Sequence, residues 1–317
     1  MTRRFHEFRG RARGDGLLKN KSAPSHNFEG RISVIVPAYN EEAVIARALR
    51  ALTVNKNPKQ LEILVACNGC KDRTVEIAKT FEPYVTVLET DVAGKVHALN
   101  LADQLAEAHP RVYMDADVTM TADSIIALCA PLETGRYLAT SPNVEHDVSR
   151  SSWLVRAYYR VWEQTPYFKA GMLGGGTYAL SKEGRGRFEK FPDIISDDGF
   201  VRSLFTDQER TVPLDAVVSV QVPRSLNELL AIKRRSRLGY YELRQKHPKR
   251  HEGLKNSFRA FFWNILIRPQ LWISAMIYLW VQVVSRSQAK KQLGKLGCYE
   301  WERDLSSRAP ESEIDEI

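Results

Sequence analysis

Between residues 32 and 117 the chain alternates four short apolar runs with three stretches whose apolar residues recur at helical spacing. The runs cover 32–36, closed by Pro37, then 61–66, 85–88 and 112–114. The first helical stretch opens at Asn40-Glu41-Glu42 and carries Val44, Ile45, Ala48, Leu49 and Leu52. The second opens at Asp72-Arg73-Thr74 with Val75, Ile77, Ala78 and Phe81. The third follows Gly94-Lys95 with Val96, Leu99, Leu101, Ala102 and Leu105. Four strands in series with helices between them predict an α/β fold around a mostly parallel sheet. Ligands of such sheets sit outside the carboxyl ends of the strands. Tyr39, Asn40, Cys67, Asn68, Asp91, Lys95, Asp115 and Asp117 all fall there.

The fourth run delivers two carboxylates, Asp115 and Asp117, one residue apart. In an extended segment residues i and i+2 point the same way, so the pair can share one divalent cation. Oxygen ligands suit Mg²⁺ or Mn²⁺, which complete their shells with substrate phosphate. A solvated strand-end turn has the same sequence signature. Further on, helical spacing places a helix at 125–128 and an aromatic one at 153–162, with a strand near 137–140 between them. Gly171, Gly174, Gly175 and Gly176 precede a short strand; adjacent glycines are costly to order, which implies either a close approach to the backbone or a plain loop. Asp197 and Asp198 stand ahead of a helix over 200–205, a position that by itself reads as an N-terminal cap. A last strand is expected at 217–220.

With 317 residues and 44% apolar content, one large α/β domain with extensions is affordable. The net charge of +8 implies an anionic partner: a phosphorylated substrate, an anionic membrane surface or nucleic acid. Four scattered cysteines make no disulfide framework, and Cys67-x-x-Cys70 has no second pair to complete a zinc site. No apolar leader run opens the sequence, so a cytoplasmic protein is expected. Residues 1–29 read as a basic flexible arm, and 301–317 as an acidic polar tail. Between them, 225–300 changes character. A basic helical stretch (Lys233, Arg234, Arg235, Arg237) leads to an aromatic, apolar segment at 261–284. Its cleanest part, 271–284, is too short to span a bilayer. It suits an interfacial helix with Trp263, Trp272, Tyr278 and Trp280 at headgroup depth, or a core or homodimer helix. Dinucleotide, phosphate-loop, zinc-protease and serine-elbow motifs are all missing.

The ordered signals resemble the inverting, nucleotide-sugar-dependent glycosyltransferases of family 2, with their GT-A fold. Pro37-Ala-Tyr-Asn-Glu41 is similar to that family's P-x-[FY]-N-E. Gly94-Lys95 with Ala98-Leu99-Asn100 is similar to G-K-x-x-A-L-N, Asp115-Ala116-Asp117 to the metal motif, and Ser196-Asp197-Asp198 to [TS]-[ED]-D. The resemblance covers roughly residues 30–240. It implies a catalytic domain at 30–224, with a nucleotide-binding half at 30–120 and an acceptor half at 121–224. It assigns donor binding to Pro37, Tyr39, Glu41, Asn68, Asp72, Asp91, Lys95, Asp115 and Ala116. Metal binding (Mn²⁺ or Mg²⁺) falls to Asp117 and Asp115, and base catalysis to Asp198 supported by Asp197. Contacts with diphosphate or acceptor fall to Arg234, Arg237, Gly175, Gly176 and Trp162.

Two departures stand out. Cys67-Asn68 replaces the acids of the family's D-D-G, loosening the expectation of uridine. Of the processive enzymes' Q-x-x-R-W, one arginine survives around Arg234–Arg237, which implies single addition. The implied partners are a nucleotide sugar (UDP- first, GDP- or dTDP- next), a saccharide or lipid-linked acceptor, and an anionic membrane at the cytoplasmic face; specific nucleic-acid binding is not expected. Competing readings are a nucleotidyltransferase acting on sugar phosphates and a non-catalytic carbohydrate- or nucleic-acid-binding protein.

Overall fold

The computed structural model describes residues 28, 30–54, 60–169, 175–247, 261, 263 and 265–294. The basic arm (apart from residue 28), the acidic tail, Gly171, Gly174 and Cys298 lie outside the described residues. The chain runs β1 (Ile32–Ala38), α1 (Ile45–Thr53), β2 (Leu61–Asn68), α2 (Thr74–Lys79), β3 (Val85–Thr90), α3 (Lys95–Leu105) and β4 (Arg111–Met114). Next come β5 (Val118–Thr119), α4 (Ala122–Cys129), β6 (Ala139–Thr140), β7 (Asn143–Asp147), α5 (Trp153–Trp162) and α6 (Pro166–Lys169). The remainder is β8 (Thr177–Leu180), α7 (Lys182–Arg185), α8 (Asp197–Arg202), β9 (Arg210–Thr211), β10 (Val217–Gln221), α9 (Leu226–Lys246) and α10 (Trp272–Leu293).

The main sheet has the order β3-β2-β1-β4-β8-β6-β9. Its first four strands are parallel, as the alternation predicts, while β8 enters antiparallel to both β4 and β6. The register pairs Met114 with Thr177, so the chain entering β8 lies beside the carboxyl end of β4. β1 runs through Pro37 to Ala38 rather than stopping before it. Proline is tolerated there because β4 pairs only with Ser33, Val34 and Ile35, which leaves that side of Pro37 without a ladder partner. In a second small sheet, β5-β10-β7, β10 falls on the strand expected at 217–220, while β5 has two residues and no period to read.

The mainly apolar strands bury both faces, with Val34 and Val36 in one core and Ile35 in the other. α1, α2 and α4 cover the first face; α3, α8 and Leu243 of α9 cover the second. A third cluster joins α5, α9 and α10 through Tyr158, Leu229, Leu230 and Val281. α10 buries polar residues beside Val281 and Ala289 and turns large apolar ones outward. Ser274, Gln282 and Ser285 are buried, whereas Trp272, Ile273, Met276, Trp280 and Val283 stand about half exposed or more. Tyr278, expected at headgroup depth, turns inward, 5.4 Å from the Tyr158 ring. Among the described residues no helix is long and apolar enough to cross a membrane.

Candidate active site

The site is assembled where β4 ends. Asp115 leaves the strand on a turn, and its N–H donates to the Gly176 carbonyl at 2.7 Å. Gly176 adopts φ 78°, and a Cβ there would lie 2.6 Å from Val118 Cγ1. One at Gly175 would lie 2.4 Å from Val144 Cγ2. The close approach implied by the glycines is therefore to the chain's own valines. The extended-strand argument for the acid pair needs correcting: β4 stops at Met114, and Asp115, Ala116 and Asp117 form a turn before β5. Asp117 is half-buried and its carbonyl accepts from Arg47 at 3.2 Å. Ala116 is buried in the core beneath the turn.

Lys95, the first residue of α3, binds the two acidic segments together. Its Nζ lies 2.8 Å from Asp115 Oδ1 and 3.0 Å from Asp197 Oδ1. Burial opposes the ammonium's charge, but Asp115 and Asp197 outweigh it and hold its pKa above the ordinary lysine range. Burial raises both carboxyl pKa values against the pull of Lys95, assisted by Asp117 at Asp115 and by Asp198 at Asp197. Three carboxylates, Asp115, Asp197 and Asp198, thus act on one ammonium, leaving surplus negative charge. The aspartate pair belongs to the first turn of α8 rather than preceding it. Ser196 caps that helix, and Asp198 Oδ1 accepts from Ser196 Oγ at 2.7 Å and from the Gly199 N–H at 2.6 Å. A small cleft opens between these groups, lined by Pro37, Lys95, Asp115, Gly176, Asp197 and Asp198. Tyr178 and Thr177 also line it, and both hydroxyls are buried with no hydrogen-bond partner. Sequence reasoning missed these two; their signal was the short T-Y-A-L strand behind the glycines.

Other predicted donor residues hold the frame. Asn68 Nδ2 donates to the Ala38 carbonyl at 2.8 Å, and its Oδ1 accepts from the Gly94 N–H at 2.9 Å, fastening β1, β2 and the start of α3. Asp72 receives the Thr74 N–H at 3.0 Å and the Glu42 N–H at 3.2 Å, joining α2 to the segment before α1. Glu41 is buried and its N–H donates to Thr74 Oγ1 at 2.6 Å. Tyr39 is half-buried and Asp91 exposed at the same strand-end surface. Arg234 and Arg237 donate to Gln288 and Gln282 of α10, away from the cleft lining. Trp162 stacks on Tyr158 with ring centroids 6.3 Å apart, and also lies outside that lining.

Among the described residues, no group of three or more His, Cys, Asp and Glu side chains is placed to hold a metal ion. A cation at the Asp115–Asp117 turn would therefore be held by few protein oxygens and share its shell with a ligand, as Mg²⁺ and Mn²⁺ do beside phosphates. The surplus negative charge fits such an ion.

A mostly parallel sheet with an acidic turn after β4 and an aspartate pair facing it across one cleft defines a GT-A type of architecture. Residues 33–186, just under half of the chain, match Glycosyl transferase family 2. It is 33% identical over 91 residues (27% of this chain, 30% of that protein) to glycosyltransferase AglE of Haloferax volcanii. It is 36% identical over 97 residues (28% and 23%) to the probable glycosyltransferase YdaM of Bacillus subtilis. The chain thus spans less than a third of the length of these curated relatives. Among solved structures, the mannosyltransferase PcManGT from Pyrobaculum calidifontis, in complex with GDP-Man and Mn²⁺, has a TM-score of 0.55 at 19% identity. That likeness covers 88% of this chain and 83% of the other, and concerns the fold.

Proposed function

We propose that the chain is a metal-dependent inverting glycosyltransferase that moves a sugar from a nucleoside diphosphate sugar to a hydroxyl acceptor. The observation that carries this reading is the Lys95 bridge, which holds the acidic turn after β4 and the α8 aspartates on one cleft. Asp117 and Asp115 would hold Mn²⁺ or Mg²⁺, which neutralises the leaving diphosphate. Lys95 fixes Asp115 in the turn and adds positive charge on the donor side. Asp198 takes the proton of the acceptor hydroxyl as that oxygen attacks the anomeric carbon from the opposite face, inverting it. Its Oδ1 is engaged by Ser196 and Gly199, which orients the carboxylate. Asp197 holds Lys95. The donor half is 30–120 and the acceptor half 121–224.

The test is nucleoside diphosphate release from UDP-, GDP-, dTDP- and CDP-sugars with Mn²⁺, the uridine donor first. Asp198→Ala should lower turnover by about 10²–10⁴-fold with donor binding kept, and chelation or Asp117→Ala should silence the enzyme. Full activity in Asp198→Ala refutes the assignment.

The outward apolar face of α10 supports peripheral contact with an anionic membrane at its cytoplasmic side. Residues 265–294 contain Arg268, Arg286, Lys290 and Lys291 and no Asp or Glu, so the charge around the face matches acidic lipid. Flotation with phosphatidylglycerol vesicles checks it, the expected loss being in Trp272→Ser/Trp280→Ser. Concentration-dependent self-association without flotation would assign the face to a homodimer instead.

A further inference from the structure

Cys67 and Cys70 form a C-x-x-C that the proposed chemistry does not use. Cys67 stands one residue before the end of β2, in register with Ala38 of β1, and is buried in the first core. Cys70, half-buried, packs against the same core from the turn that follows. Gly69 makes that turn at φ 61°, and its N–H donates to the Thr90 carbonyl at 2.7 Å. Both cysteines thereby come back to Ala38: Cys67 is its ladder partner, and Cys70 Sγ lies 3.5 Å from its carbonyl oxygen. The structure holds both as free thiols, hydrogen-bonded to each other.

The two sulfurs are not equivalent. Cys70 Sγ accepts from Cys67 and, at 3.5 Å, from the Asn40 N–H. The bond from Cys67 comes first among the causes that bring the Cys70 pKa down to about 6, against burial and the charge of Asp72. The same bond, with burial, pushes the Cys67 thiol up. A partly exposed thiolate beside a sheltered, protonated thiol suits oxidation of the first and resolution by the second. A C-x-x-C within a βαβ pattern has the spacing for that exchange. Cys129, by contrast, is wholly buried, and burial raises its pKa.

The turn is also tied to the cleft. Asn68, between the cysteines, holds the Ala38 carbonyl and the Gly94 N–H, and Gly94 immediately precedes Lys95. Asn40 Oδ1 accepts the Lys71 N–H at 2.7 Å, beside Tyr39 and Glu41. Drawing Cys70 Sγ onto Cys67 takes it from the Asn40 N–H and disturbs this lacing.

We propose that Cys70 and Cys67 are a peroxide-oxidised thiol pair whose disulfide loosens the nucleotide end of the cleft. The Cys70 thiolate attacks one oxygen of hydrogen peroxide; the O–O bond breaks, hydroxide leaves and Cys70 becomes a sulfenic acid. The Cys67 sulfur then attacks the Cys70 sulfur, the S–O bond breaks, and the hydroxyl leaves with the Cys67 proton as water. Two electrons pass from the sulfurs to the peroxide. The effect on nucleotide binding rests on the transferase reading; the thiol chemistry does not.

The test treats the reduced full chain with hydrogen peroxide and weighs its tryptic peptides. The peptide carrying residues 67–70 should lose two hydrogens, reversibly with dithiothreitol, and Cys70 should react about tenfold or more faster than Cys129. In Cys67→Ser, dimedone should label Cys70 after peroxide. Titration with UDP and with GDP, each with Mn²⁺, should show about tenfold weaker binding to the oxidised protein. Reduction should restore it, and Cys70→Ser should keep one affinity with or without peroxide. Thermal melts of both redox forms and both variants separate lost binding from lost folding. A 67–70 peptide that stays reduced, or dimedone on Cys129 in place of Cys70, overturns the thiol pair. A disulfide with unchanged nucleotide affinity overturns its action on the cleft. If the reduced protein binds no nucleotide and consumes no nucleotide sugar while the disulfide still forms, the transferase reading fails and the thiol pair stands.

Discussion

Lys95 joins two carboxylates separated by more than eighty positions, and much of the site's geometry depends on that single ammonium. Replacing it with Met leaves the buried Asp197 and the half-buried Asp115 without their cation. Lys95→Met should therefore cost on the order of 2 kcal/mol in urea unfolding, a loss that Lys95→Arg partly restores. Residue types at this scale were legible: Asp115, Lys95, Asp197 and Asp198 were all named from sequence, and all line one cleft. The frame bonds of Asn68 and Asp72 were not legible. A side chain at a strand end looks the same in sequence whether it faces a ligand or ties two loops together, and here both are engaged by backbone groups.

Among the elements, α9 governs the position of Asp198, the proposed base. It starts with a capping box in which Ser225 and Glu228 satisfy each other's backbone N–H groups. Further along, Gly239 lets it pass against the segment before α8: a Cβ there would lie 3.0 Å from Ser196 Cβ and 3.2 Å from Ser196 N. Ser196 both caps α8 and binds Asp198, so a displaced Ser196 moves the carboxylate. Gly239→Val should lower kcat by about tenfold to a hundredfold while leaving the donor dissociation constant unchanged. Steady-state kinetics alongside donor titration would check this. Long periodic elements such as α5 and the parallel strands were legible because burial imposes their period. β5 and β9, two residues each, were not, since only pairing defines them, whereas β6 falls within the strand expected near 137–140.

Across the whole molecule, the buried Asp103 fastens α3, β4 and α7 together. It meets Arg111 at 2.8 Å and Arg185 at 2.5 Å, and accepts the Tyr113 hydroxyl at 2.5 Å. Burial alone would raise its pKa, but Arg185, Tyr113 and Arg111 prevail and lower it. A carboxyl with a depressed folded-state pKa stabilises above its unfolded value, near 3.8, and that contribution is lost as pH falls through the folded value. Asp103→Asn should thus cost about 3–5 kcal/mol at pH 7. The gap from wild type should narrow as unfolding is measured below pH 4.

Local pattern by itself determined the parallel α/β half, the order of its elements and the acidic and basic residues at the strand ends, because burial on both faces of a sheet writes itself into consecutive apolar residues. Tertiary structure alone decided that β8 returns antiparallel beside β4, that Gly175 and Gly176 yield room to Val144 and Val118, and that α10 turns its tryptophans outward. Those outcomes depend on which surfaces meet. Contacts between distant segments leave no period in the chain that makes them.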